Sequence, residues 1–183
     1  MNSILQSSCQ ELLRRIELAK SSIIGQDYPK EVRPCFDWVI QTLNSFEQEL
    51  NRIQKYVLLN LQDNVLDQTW YNELAGINNE LEVLDSYYIH ALYRLSSEDK
   101  LALKVIQWLH QAHPITQNKP FIISNGSFSI APSENTPTLY WLPVTSQLSL
   151  LHFPLFYHEF GHQLFLYHKR EMEDVIAEFQ NKL

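Results

Sequence analysis

Residues 157–174 read YHEFGHQLFLYHKREMED. Within them His158 and His162 stand one helical turn apart in sequence, and Glu159 directly follows the first histidine. The apolar residues Phe153, Leu155, Phe156, Phe160, Leu164 and Phe165 around them are numerous enough to bury one side of a helix. A helix advances about 100° per residue, so the two imidazoles share a face and can converge on one metal ion. Glu159 is rotated by about 100° from His158, so it can sit beside that ion without ligating it. There it can take a proton from a water and return it to a leaving amine. Neutral imidazole suits zinc, which lowers the pKa of water towards about 7.

Outward from this helix the pattern changes. "PFIISNGSFSI" (120–130) places two short apolar runs around Asn125-Gly126, the strongest short-range signal for a β-hairpin. "TLYWLPV" (138–144) reads as a third strand, with Pro143 ending it or placing it at a sheet edge. Before Pro114 the sequence is helical. Ile4, Leu5, Leu12, Leu13, Ile16 and Ile23 mark a first helix with Gly25 as its stop. Phe36, Val39, Ile40, Leu43, Phe46, Leu50, Ile53 and Val57 form one long stripe, which Asp63-Asn64 should break. A third run covers about 65–95, interrupted but not ended by Gly76. Ser96 caps a fourth, with Asp99 at its third position, that stops before Pro114. The expected architecture is α+β and mainly α. Residues 1–114 form a helical domain, and 115–183 a small antiparallel sheet followed by one helix.

The chain has 183 residues, 45% of them hydrophobic and 12% aromatic, and only four glycines, which fits an ordered, mostly helical protein. Its net charge is −7 with acidic and basic residues interleaved, so nucleic acid is not an expected partner. No apolar run reaches the length of a membrane span, and the first residues, MNSILQSSCQELLRR, lack the pattern of a signal peptide. Cys9 and Cys35 make no disulfide framework, which points to a reduced, cytoplasmic setting.

His158, Glu159 and His162 match the HExxH motif of the zincin metallopeptidases, and residues 117–162 resemble the upper half of a zincin domain. The resemblance implies a sheet followed by an active-site helix, zinc held by His158 and His162, and Glu159 as general base and later general acid. It also implies an edge strand, at 121–130 or 138–142, that holds an extended peptide substrate. The expected function is zinc-dependent peptide-bond hydrolysis. The competing expectation is a non-catalytic helical interaction module that keeps HEFGH as structure alone.

A zinc hydrolase site needs a third protein ligand. His168 stands where the metzincin branch places one, but that branch has a glycine three residues after its second histidine, and here Phe165 occupies the position. A helix continuing through Phe165 carries His168 about 9 Å up the axis from His162 and about 240° round it. The gluzincin branch takes a glutamate from a second helix. Glu171, Glu173, Asp174 and Glu178 are the acidic residues on offer; Glu173 shares the histidine face, but about 16 Å along. The third ligand is therefore expected beyond Leu183, in a missing C-terminal segment, or from a second copy. Among the other histidines, His90, His110 and His113 read as core or cap residues, and His152 as a group near the substrate side. Tyr157 and Tyr167 could stabilise an oxyanion, but read first as core.

Overall fold

The computed structural model describes residues 2–59, 67–95, 100–146 and 149–180. It is mainly helical with a small three-stranded sheet, the α+β class expected. The expected break at Asp63-Asn64 and the Ser96 cap lie outside the described residues. By internal contacts the chain divides into one unit of residues 1–27 and 36–93 and a second of residues 28–35 and 94–183.

The first unit is built from three helices, α1 (Asn2–Ile23), α2 (Arg33–Leu59, contributing from Phe36 onward) and α3 (Asp67–Leu84). Each carries an apolar stripe at three- and four-residue intervals. Leu5, Cys9, Leu12 and Ile16 are buried on α1, Val39, Leu43, Phe46, Leu50 and Ile53 on α2, and Leu74, Ile77, Leu81 and Leu84 on α3. Gly25 ends α1 with φ +91°, the left-handed conformation glycine adopts without penalty. Polar contacts stitch the helices at their margins. Lys20 pairs with Glu47, Arg15 donates to Asn78 Oδ1 at 2.6 Å, and Arg52 reaches Glu73 at 3.1 Å while covering the Trp70 ring. Beyond Leu84 the helix makes one π-helical turn, Asp85–Ile89, and resumes as α4 (His90–Arg94). Gly76 lies inside α3 without ending it.

The second unit holds α5 (Lys100–Ala112), β1 (Phe121–Asn125), β2 (Ser129–Ala131), β3 (Thr138–Leu142) and α6 (Phe153–Gln180). Its sheet corrects the antiparallel hairpin expected from Asn125-Gly126. The strand order is β1-β3-β2; β3 lies in the centre, parallel to β1 and antiparallel to β2. A tight Asn-Gly hairpin turn needs positive φ at both central residues, and among the described residues Gly25 alone has one. Burial decides the order. Thr138, Leu139, Tyr140 and Leu142 are buried, so β3 takes the place with neighbours on both sides, while the three half-exposed residues of β2 take an edge. Pro143 ends β3, and Tyr140 sits at mid-sheet opposite Ile123 and Ile130.

Glycine at 126 is required for a different reason. Its N–H donates to Leu142 O at 3.1 Å as the chain leaves β1 across the end of β3, and a Cβ there would lie 2.9 Å from Trp141 Cβ. Trp141 Cβ is fixed by the central strand and cannot withdraw. Gly126→Ala should therefore cost about 1–3 kcal/mol in a urea denaturation series. Gly76→Ala, in open space within α3, should stabilise by about 0.5–1 kcal/mol.

Candidate metal centre

Helix α6 opens with Pro154 in its first turn, where the missing N–H is no loss, and runs unbroken for 28 residues. Phe156, Glu159, Phe160 and Gln163 form its buried face, at the i, i+3, i+4, i+7 spacing of one helix side. Phe156 and Phe160 are 2% and 1% exposed, and Phe160 packs its ring against His110 of α5 and against His113. This packing fixes the rotation of the helix. His158 and His162 consequently face outward, their ring centroids 4.9 Å apart and their planes at 86°. The pair is one turn apart on one face, and each imidazole is free to turn a nitrogen towards a common ion.

Gln163 lies one turn beyond Glu159 and is fully buried. Its Oε1 accepts from Thr138 Oγ1 at 2.9 Å and from the Ser133 N–H at 3.2 Å, and its Nε2 donates to Ser133 O at 3.1 Å. One amide thus ties α6 both to the first residue of β3 and to the loop before it. The sequence reading missed this residue, although a polar side chain at i+4 from Glu159 on the inward face was a usable signal.

Glu159 is 7% exposed and borders a cleft of ≈ 540 Å³ with His162. The opposite wall of that cleft is edge strand β2, with Ser129 and Ile130, flanked by Phe128 and Pro132; Phe165, Leu166 and Lys169 extend the helix side. Of the two strands expected to offer an edge, 138–142 is central, and the stretch that lines the cleft is 128–130. His158 is not part of the cleft wall.

Behind Glu159 lies a second buried polar pair. Tyr140 Oη and His110 Nε2 are 2.9 Å apart, and His110 Nδ1 faces Thr116 O at 3.4 Å. A carbonyl at Nδ1 assigns the ring proton there, so Nε2 accepts from the Tyr140 hydroxyl. Burial pushes His110 down to about 4, and holds Tyr140 well above the ordinary phenol range with a further contribution from the Glu159 charge. His113 packs on Phe160, and His152 packs on Phe128 with a buried Nδ1 that has no hydrogen-bond partner among the described residues. Tyr157 is half exposed and joins Phe153 and Trp108 in an aromatic cluster.

The helix continues through Phe165, so His168 stays on it and pairs with Glu171 at 2.9 Å. Glu173 pairs with Lys169 at 3.8 Å. Among the described residues no three histidine, cysteine or acidic side chains come together as a metal-binding group. The two imidazoles fit zinc in kind and fall one ligand short of the three protein ligands of an open, catalytic zinc site.

Two outcomes follow from this packing. Gln163→Leu should destabilise by roughly 2–4 kcal/mol, because it leaves the Ser133 amide, the Ser133 carbonyl and the Thr138 hydroxyl without their partner. His110 has a folded pKa of about 4 against an ordinary value of 6.5, so the unfolded chain binds its proton first as pH falls. Stability should thus be full above pH 6.5 and decline towards pH 4, by about 3 kcal/mol in all. Chemical denaturation at a series of pH values, with His110→Gln showing a flatter profile, checks the sign and the window.

Comparison with known protein families, with curated proteins and with solved structures finds no match to this chain.

Proposed function

We propose that the chain is a zinc-dependent metallopeptidase or the N-terminal part of one, acting on peptides or proteins in the cytoplasm. The observation that carries the reading is the outward His158–His162 pair on a continuous helix, with Glu159 and His162 together bordering a cleft along an exposed strand edge. The chain's own groups divide the work. His158 and His162 supply two neutral imidazole ligands. Bound zinc would supply Lewis acidity. Glu159, on the rotation between the histidines and the core, receives a proton and delivers it to the leaving amine. Strand β2 offers backbone groups to an extended peptide, as the resemblance to zincins implies. Phe128, Ile130 and Phe165 give the cleft apolar surface beside Glu159 and His162.

Two ligands hold zinc weakly, so full activity on this reading needs a third from outside the described residues. Tyr140 and His110 do not line the cleft, and their hydrogen bond ties β3 to α5. No helix among the described residues is long and apolar enough to cross a membrane. A second reading, a non-catalytic interaction module, is favoured by one observation: residues 169–180 of α6 are all exposed, apolar Met172, Val175, Ile176 and Phe179 included.

The deciding experiment is metal content by plasma mass spectrometry, with peptide hydrolysis measured alongside. The expected result is partial zinc occupancy, as two ligands allow, that is lost in His158→Ala and kept in Glu159→Gln. Hydrolysis should fall by about 10²–10⁴-fold in the Glu159→Gln protein. A wild-type chain that takes up no zinc and hydrolyses no peptide overturns the reading for this chain.

A further inference from the structure

One cation stands in the cleft wall. Of the side chains that line the cleft, Lys169 carries the positive charge and Glu159 the negative one, with His162 between them on the same helix. From His162 to Lys169 is seven residues, about 10 Å along the axis and nearly two full turns, so the two share a face. Glu159 is about 15 Å from Lys169 along α6, too far to neutralise it.

The opposite wall stops short of Lys169. Strand β2 ends at Ala131, and Pro132 next to it has no N–H to donate to a ligand. Gln163 is bonded to Ser133, which fixes this end of the strand at the level of Gln163 on α6. Lys169 lies about 9 Å further along the helix. Backbone pairing can therefore hold a peptide along β2 and not beyond it. Past that point the wall offers the apolar Phe165 and Leu166, and then one ammonium.

Reach and charge identify what a peptide would bring there. An extended chain advances about 3.3 Å per residue, so with a carbonyl at His162 its third residue onward, or its end, arrives beside Lys169. The ammonium has three donors and no acceptor, and the anions of an unmodified peptide are carboxylates. Glu173 stands 3.8 Å from Lys169, but both side chains are mostly exposed, so that pair is weak and yields to a ligand. The chain's net charge of −7 opposes an acidic ligand at long range, yet salt screens it beyond about 8 Å under physiological conditions, so the adjacent ammonium decides. We propose that Lys169 is a specificity-determining residue, which holds a carboxylate of the bound peptide, from an acidic side chain or from the chain end, at the far end of the cleft. The proposal rests on the reading of this cleft as a peptide site given above, and is independent of zinc.

Fluorescence anisotropy on the full chain, with a metal chelator present, tests it. The probes are short peptides of valine and threonine labelled at the N-terminus. One pair has an amidated end and carries glutamate or glutamine; the other has neutral side chains and a free or an amidated end. In at least one pair the carboxylate-bearing member should bind roughly three- to tenfold tighter, by a margin that shrinks as salt is added. The pair that shows it identifies the source of the carboxylate. Lys169→Arg should keep the preference and Lys169→Glu should reverse it, with helix content unchanged by circular dichroism. Equal affinity within both pairs, binding of none of the peptides, or a preference that survives Lys169→Glu overturns the proposal. Adding zinc separates it from the peptidase reading: a carboxylate preference without hydrolysis sinks that reading and leaves Lys169 in its assigned role.

Discussion

The rotation of α6 about its own axis governs the second unit. Once Phe156, Phe160 and Gln163 point inward, the 100° step leaves no freedom for the rest: His158 and His162 face out, and Glu159 sits at the boundary. Gln163 contributes specificity that the phenylalanines alone could not. Apolar side chains tolerate a helix sliding or turning by a fraction of a residue, whereas an amide bonded to both a backbone N–H and its own residue's C=O at Ser133 accepts one geometry. The same amide fixes Thr138 at the start of the central strand. Strand, loop and helix are thus set by one buried polar group, and the position of the histidine pair relative to β2 is its consequence.

Helices were legible in the sequence because their signal is repetitive. The stripes on α1, α2 and α3 recur over four or more turns, so a local exception such as Gly76 or the half-buried Leu13 does not obscure them. Strand order was not legible. Asn125-Gly126 looks the same in sequence whether the glycine supplies a positive φ or merely yields space to Trp141, and only the latter holds here. Three residues of β2 cannot show by their own alternation which neighbour they pair with. The central place of β3 follows from its being the most deeply buried strand, a property of the assembled unit rather than of residues 138–142 read alone.

The candidate site divides in the same way. The histidine pair and its glutamate could be read from spacing, because helix geometry is nearly invariant. The group beneath them could not, since His110, Tyr140 and Gln163 come from three separate elements and meet only through tertiary packing. Helix α6 therefore has two unlike sides. One is a polar network enclosed by aromatic rings, and the other an exposed line of histidines and apolar residues.

The π-helical turn at Asp85–Ile89 has a consequence of its own in the first unit. The His90 N–H reaches back to Asp85 O, five residues earlier, so this turn contains one residue more than a regular α-helical turn. Tyr88 and Ile89 are both buried there, although neighbouring positions on a regular helix point a quarter-turn apart. The extra residue absorbs a shift in phase between the stripe of α3 and the buried Ala91 and Leu92 that follow it. Length is negotiable at this place as it is nowhere else along the helix. A one-residue deletion within the turn converts it to ordinary α-helix and leaves both flanking stripes in register, whereas the same deletion in the middle of α3 would rotate everything downstream out of the core.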